Sequence, residues 1–283
     1  MTDQPRPAGK SVAAFVLPTL GVTWAVEIAL VAGGMRFDDA SSLNAAALWM
    51  AAMMLVPGTM AVLVARYVEG VPFSAMRDTL RLRLGTSVGP YFLTFLLIPL
   101  AYAVIYGLTL ALGLTAYVPP TGELDENFLL KVALPLSVVL GPFINLLFGL
   151  GEEAGWRGFL LPRLLPLGKV RAYLLLGVIW GLWHAPLIFA GLNYPGHPVD
   201  GIVMMCVLSV AFGFFINEMT LHYKSSILAG FIHGAFNAQG FGVWLWIFPN
   251  THPILGGPFG LVGAACWLAL GLAATWTLGR LKN

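Results

Sequence analysis

Long apolar runs separated by short polar breaks make up almost the whole chain, and the runs have the length of membrane-crossing helices. A helix that spans the hydrocarbon core of a bilayer needs about 20 mainly apolar residues. Eight stretches qualify: residues 11–35, 44–65, 88–114, 128–150, 172–192, 201–217, 226–247 and 257–278. Pro18, Pro57, Pro99, Pro135, Pro142 and Pro186 fall inside these stretches. Bilayer helices tolerate such prolines where neighbours satisfy the carbonyls they free. The first stretch follows a polar lead with no cleavage signal and is too long for a signal-peptide core, so it is expected to be a retained helix.

Basic residues then orient the pattern. With the N-terminus inside, 13 of the 15 Lys and Arg residues fall on inner segments, and only Arg36 and Lys131 fall outside. The outer segments instead carry Asp38, Asp39, Glu123, Asp125, Glu126 and Asp200. Cytoplasmic loops are the ones enriched in Lys and Arg. The expected fold is therefore an all-α polytopic membrane protein with eight transmembrane helices and both termini cytoplasmic. A seven- or nine-helix arrangement breaks the alternation of charge. Residues 72–84, "PFSAMRDTLRLRL", interleave apolar and basic positions and predict an interfacial helix on the anionic inner leaflet.

Composition narrows the class further. Mean hydropathy is +0.83. Apolar residues make up 58% and charged residues 10%, against about 25% charged in globular proteins. These values exclude a disordered protein, a coiled coil, a collagen-like chain and an ordinary cytosolic enzyme. In 283 residues the eight spans leave no room for a large soluble domain, so residues 1–283 read as a single membrane domain in the cell (inner) membrane. A net charge of +2 gives no reason to expect nucleic acid. Cys206 and Cys266 both sit in apolar runs, which argues against a disulfide framework or a thiolate metal site.

Against that background a few polar residues stand out, because ionisable groups inside a bilayer are costly. One cluster is Glu152-Glu153-Ala-Gly-Trp-Arg157, a second is Trp180-Gly-Leu-Trp-His184, and a third is His233-Gly-Ala-Phe-Asn237; together they place the core motifs within residues 142–240. His184 lies 13 residues past Arg171 and His233 nine past Lys224, or about 20 and 14 Å of helix rise. Both imidazoles thus reach the middle depth of a core about 30 Å thick. Asn237 is one turn beyond His233 on the same face. Glu153 and Arg157, spaced i, i+4, are set to form an ion pair, which leaves Glu152, rotated by about 100°, to face elsewhere. A buried carboxylate beside two histidines is a candidate general base. The two imidazoles and the amide supply oxyanion donors and orientation.

At these three clusters the chain resembles the CPBP family, the CAAX proteases and bacteriocin-processing enzymes of the membrane. The family pattern is EExxxR, then FxxxH, then HxxxN. The first and third match at Glu152-Glu153…Arg157 and His233…Asn237; the second has Trp180 in place of the usual Phe before His184. The likeness covers about 86 residues, from Glu152 to Asn237. It implies a glutamate-dependent endopeptidase acting on a peptide or protein substrate associated with the bilayer. By that analogy Glu152 activates a water held with His184, while His233 and Asn237 stabilise the tetrahedral oxyanion. Glu153 and Arg157 brace the motif, and the exchange of Phe for Trp180 bears only on pocket shape. Members have often been called metalloproteases, and two histidines with two glutamates could ligate zinc. There is no HExxH, and Asn237 is a poor zinc ligand, so the expectation is that no cofactor is required, with zinc the alternative.

Other classes stay open at this point. A catalytically silent member acting as a scaffold or immunity protein has no need of an intact Glu152. A transporter using the buried Glu and His as a proton relay is disfavoured by the lack of an inverted repeat. Glu27, inside the first stretch, either lines the cavity or pairs with another helix. Asn145 and Asn217 are expected as interhelical hydrogen-bond partners. Cleavage of a CAAX sequence requires a prenylated cysteine, and nothing in the chain reports a prenyl pocket.

Overall fold

The computed structural model of the protein describes residues 8–36, 43–122 and 125–280. Among these residues every regular element is a helix, as the hydropathy pattern requires. Arg6, Asp38, Asp39, Glu123 and Lys282, which contribute to the charge asymmetry, lie outside the described residues.

All eight apolar stretches fold as helix, but not all as a full-length rod. Gly9–Ala32, Leu48–Val68, Gly89–Ala111, Pro198–Tyr223 and Leu261–Arg280 are long and apolar enough to cross a membrane. A sixth crossing forms if Glu126–Val139 and Gly141–Leu167, bent by 41° at their junction, count as one span. The chain is thus a multi-pass membrane protein. The two remaining stretches give 15-residue helices, Lys169–Trp183 and Ser226–Gly240. Each rises only about 22 Å, short of a 30 Å core. These are the helices that carry or adjoin the two motif histidines. Among the described residues, then, five or six helices have crossing length by themselves, and the other two of the eight expected stretches are shorter helices.

The shortening after Trp183 has a local cause. Pro186 lacks the N–H that would reach the carbonyl of Leu182, one turn back. That carbonyl accepts a hydrogen bond from Trp24 Nε1 at 3.2 Å instead, so the first helix satisfies the break. The chain resumes as the short helix Ala185–Phe189, leaving His184 at the joint between two helical segments.

Polarity is arranged inside out relative to a soluble protein. Leu17, Leu96, Leu108, Val203 and Leu272 face outward, while Glu27, Glu152, Glu153, Arg157, Asn217 and His233 are buried. Glycines permit the close approaches that build this interior. A Cβ on Gly149 would stand 2.7 Å from the Gly230 carbonyl oxygen, so the helices Gly141–Glu153 and Ser226–Gly240 meet backbone to backbone. Small residues at a helix crossing have this effect in membranes. The same device at Gly181, where a Cβ would lie 2.5 Å from the Cys206 Cα, seats Lys169–Trp183 against Pro198–Tyr223.

The expected interfacial helix is shorter than its sequence pattern, covering Phe73–Thr79. The strip just beyond it docks on the protein. Ser226 donates from its hydroxyl to the Leu80 carbonyl at 2.7 Å and from its amide to the Arg81 carbonyl at 2.9 Å. Ser225 caps the next helix by accepting from the Leu228 amide at 2.9 Å. The 80–83 strip thereby fixes the start of the helix on which His233 sits.

Candidate active site

The Gly141–Glu153 helix runs into a wider, π-helical turn, Ala154–Leu160, and every residue from Glu152 to Leu160 is buried. Such local widening of a helix is frequent at functional sites. Across the start of this turn Arg157 Nη1 donates to Glu153 Oε1 at 2.9 Å. Both side chains are fully buried. The same oxygen also accepts from His233 Nδ1 at 2.9 Å, across the glycine-mediated crossing. Arg157 Nε donates to Asn217 Oδ1 at 3.0 Å, and the guanidinium lies 4.2 Å from the centre of the Trp180 ring. Four helical segments are tied together through one ion pair.

Glu152 points elsewhere, as the 100° rotation per residue demands. Its Oε2 accepts from two indoles, Trp180 Nε1 at 2.8 Å and Trp156 Nε1 at 3.2 Å. Among the described residues Oε1 has no such partner, so one oxygen anchors the group and the other is free to act. His184 Nδ1 donates to the carbonyl of Trp180 at 2.9 Å. A carbonyl oxygen only accepts, so a proton is on Nδ1, and in the neutral ring the lone pair is then at Nε2. The same reasoning puts a proton on Nδ1 of His233, facing Glu153. His233 then becomes a donor at Nε2 only as the imidazolium, with Glu153 as its counter-charge.

Glu152, His184, His233 and Asn237 all line one cavity of about 100 Å³, together with Trp180 and Glu27. That is room for a few waters, each occupying about 30 Å³ in the liquid. The four residues expected to carry chemistry are therefore brought together, and Glu153 and Arg157 stand behind them rather than on the cavity wall. The residues fit zinc poorly. Among the described residues no three His, Cys, Asp or Glu side chains converge as a metal site. Each carboxylate of the pair 152–153 already has one oxygen held by protein donors.

Some of this differs from the sequence expectation. Trp180 does more than shape the pocket, because its indole N–H holds Glu152, which a Phe could not do. Its ring meets the His184 ring at 6.1 Å, tilted by 54°. Asn217 is an interhelical partner as expected. Asn145, among the described residues, instead donates to the Gly141 carbonyl of its own helix at 2.9 Å. Sequence reasoning missed the indole of Trp156, although its i, i+4 spacing from Glu152 was a usable signal. It also missed the bond between His233 and Glu153, for which an 80-residue separation offers none.

Comparison with known proteins agrees with the motifs. Residues 134–239 match the model of a protein family described as type II CAAX prenyl endopeptidase Rce1-like. The chain is also similar to CAAX prenyl protease 2 of Methanococcus maripaludis, 34% identical over 129 residues, which is 44% of this chain. The match spans about half, 47%, of that relative's length. The resemblance to the CPBP and CAAX proteases drawn from the three motifs is borne out by both matches.

Proposed function

We propose that this protein is an intramembrane endopeptidase that hydrolyses a peptide bond with a water activated by Glu152. The observation that carries the reading is the convergence of Glu152, His184, His233 and Asn237 on one buried cavity. A water between Glu152 Oε1 and His184 Nε2 loses a proton to the carboxylate as its oxygen bonds to the scissile carbonyl carbon. The resulting oxyanion accepts hydrogen bonds from Asn237 and from the His233 imidazolium. As the C–N bond breaks, Glu152 passes the proton to the leaving nitrogen. Glu153 is a positioning residue, since it holds the imidazole of His233 while Arg157 balances its charge.

No metal takes part in this scheme. The protein would reside in the cell (inner) membrane with eight passes and both ends inside, the two short helices lying within the bundle. The substrate we propose is a membrane-associated peptide or protein, with a prenylated C-terminal segment as one subclass.

The test compares wild type and Glu152→Ala in proteoliposomes against a library of membrane-protein peptides read by mass spectrometry. Expected are products from the wild type and none from the variant, at equal folded yield. Cleavage surviving in Glu152→Ala sinks the assignment. A chelator series with zinc added back should leave the rate unchanged, and paired peptides with and without a prenyl group identify the subclass.

A further inference from the structure

Glu27 is an interior carboxyl that the hydrolytic scheme does not use. It is 1% exposed, and among the described residues neither of its carboxylate oxygens has a hydrogen-bond partner. An unpartnered buried carboxylate is among the costliest arrangements a protein can hold. Its position is nevertheless fixed by the chain around it. One turn earlier, Thr23 accepts from Trp183 Nε1 at 3.0 Å, and Trp24 donates to the Leu182 carbonyl at 3.2 Å. These two bonds clamp the first helix to the segment that ends at His184, and Glu27 comes next along that helix, on the wall of the central cavity. It also lines an adjoining narrow cleft, where its neighbours include Met50, Met53 and Leu187.

The ionisable groups lining the central cavity are Glu27, Glu152, His184 and His233, with no Lys or Arg among them. The one cation of the proposed scheme on the cavity wall, the His233 imidazolium, is already matched by Glu153. Arg157, nearby, is committed to Glu153 and Asn217. The lining thus leaves no free basic side chain for Glu27, and the walls beside it are apolar. Methionines adapt their shape to a slender stem, and lysine buries its methylenes along apolar surface while its ammonium seeks a polar end.

We propose that Glu27 and the methionines beside it form a specificity subsite for a lysine-like side chain of the substrate. The proposal rests on the peptidase reading, and deepens it by naming what the enzyme selects. A peptide bound across the cavity places its scissile carbonyl at Glu152 and its basic side chain at Glu27. The buried carboxyl gains a partner only in the complex, so the cost carried by the free protein becomes discrimination between substrates.

The experiment starts from any peptide that the wild type cleaves and replaces each position in turn by lysine or by norleucine, which keeps the stem and lacks the ammonium. One position is expected at which lysine exceeds norleucine in kcat/KM by about thirtyfold or more, the loss typical when one partner of a buried charge pair is removed. In Glu27→Gln that ratio should fall to near one. A lysine preference that survives the substitution, or no preference at any position, overturns the proposal. If the wild type cleaves no peptide, the peptidase reading fails and a binding measurement decides the subsite alone. Hexylammonium should then raise the thermal unfolding temperature of the wild type and not of Glu27→Gln, with hexanol as the uncharged reference. Equal shifts in both proteins, or stabilisation by hexanoate instead, refute it.

Discussion

Trp180→Phe tests whether the indoles hold Glu152, the proposed general base, because it removes one N–H and keeps an aromatic ring. The bond lost is the 2.8 Å donation to Glu152 Oε2, leaving only the longer one from Trp156 at 3.2 Å. A hydrogen bond to a charged group contributes about 1.5–3 kcal/mol. Trp180 is nearly fully buried and lies under the Arg157 guanidinium, so the smaller ring also gives up packing and part of a cation–π contact. The expected loss of stability is about 2–4 kcal/mol, read by thermal unfolding in detergent. The catalytic effect should be separate and lie in kcat. A carboxylate released by as little as 1 Å from its working position costs on the order of a hundredfold, so a fall of tenfold to a hundredfold is expected with KM little changed. Trp156→Phe should act in the same direction and more weakly, as its bond is longer. If Trp180→Phe folds and keeps kcat within about twofold of wild type, the indole is packing only and does not anchor the base.

Other perturbations separate positioning from chemistry. Glu153→Met leaves Arg157 buried without its partner and should cost about 3–5 kcal/mol in stability. Adding Arg157→Met should recover much of that stability, since apolar pairs often replace buried ion pairs well, but not the cleavage rate, because His233 still lacks its acceptor; recovery of both would make the pair a mere scaffold. Gly149→Val drives a side chain into the Gly230 carbonyl and should abolish folded yield, whereas Gly107→Ala, with nothing within 4 Å of the new methyl, should be neutral. Glu27→Met should raise the unfolding temperature, by the equivalent of about 1–3 kcal/mol, because it removes two buried oxygens without partners. A destabilised Glu27→Met would show that the carboxylate has a partner inside the folded protein.

Legibility in the sequence divides along the line between local and non-local interactions. Glu153 and Arg157 are one turn apart, so their ion pair follows from helix geometry alone, and the structure forms it. The common depth of His184 and His233 follows from counting residues from the nearest cation, and both reach the same cavity. The bond between His233 and Glu153 belongs to another class. It depends on how closely two helices cross, which is set by Gly149 and Gly230 meeting backbone to backbone. No spacing along the chain encodes that distance. The lengths of the helices within those stretches were not legible for a related reason. Hydropathy reports the apolar length of a stretch, not the turn that Pro186 and a borrowed indole donor introduce into it.

That break links the shape of the bundle to its chemistry. A helix running unbroken through Trp183 would keep His184 within a regular backbone, with no joint beside it. The proline frees the Leu182 carbonyl, Trp24 of the first helix claims it, and the same contact sets Glu27 facing the cavity that His184 lines. One backbone defect therefore bears on both where His184 and where Glu27 reach the cavity wall. Removing the donor without touching either group, by Trp24→Phe, should loosen this joint. Lysine-over-norleucine discrimination is then expected to fall in that variant along with kcat. A change in kcat with discrimination intact would mean that the first helix is held by packing alone.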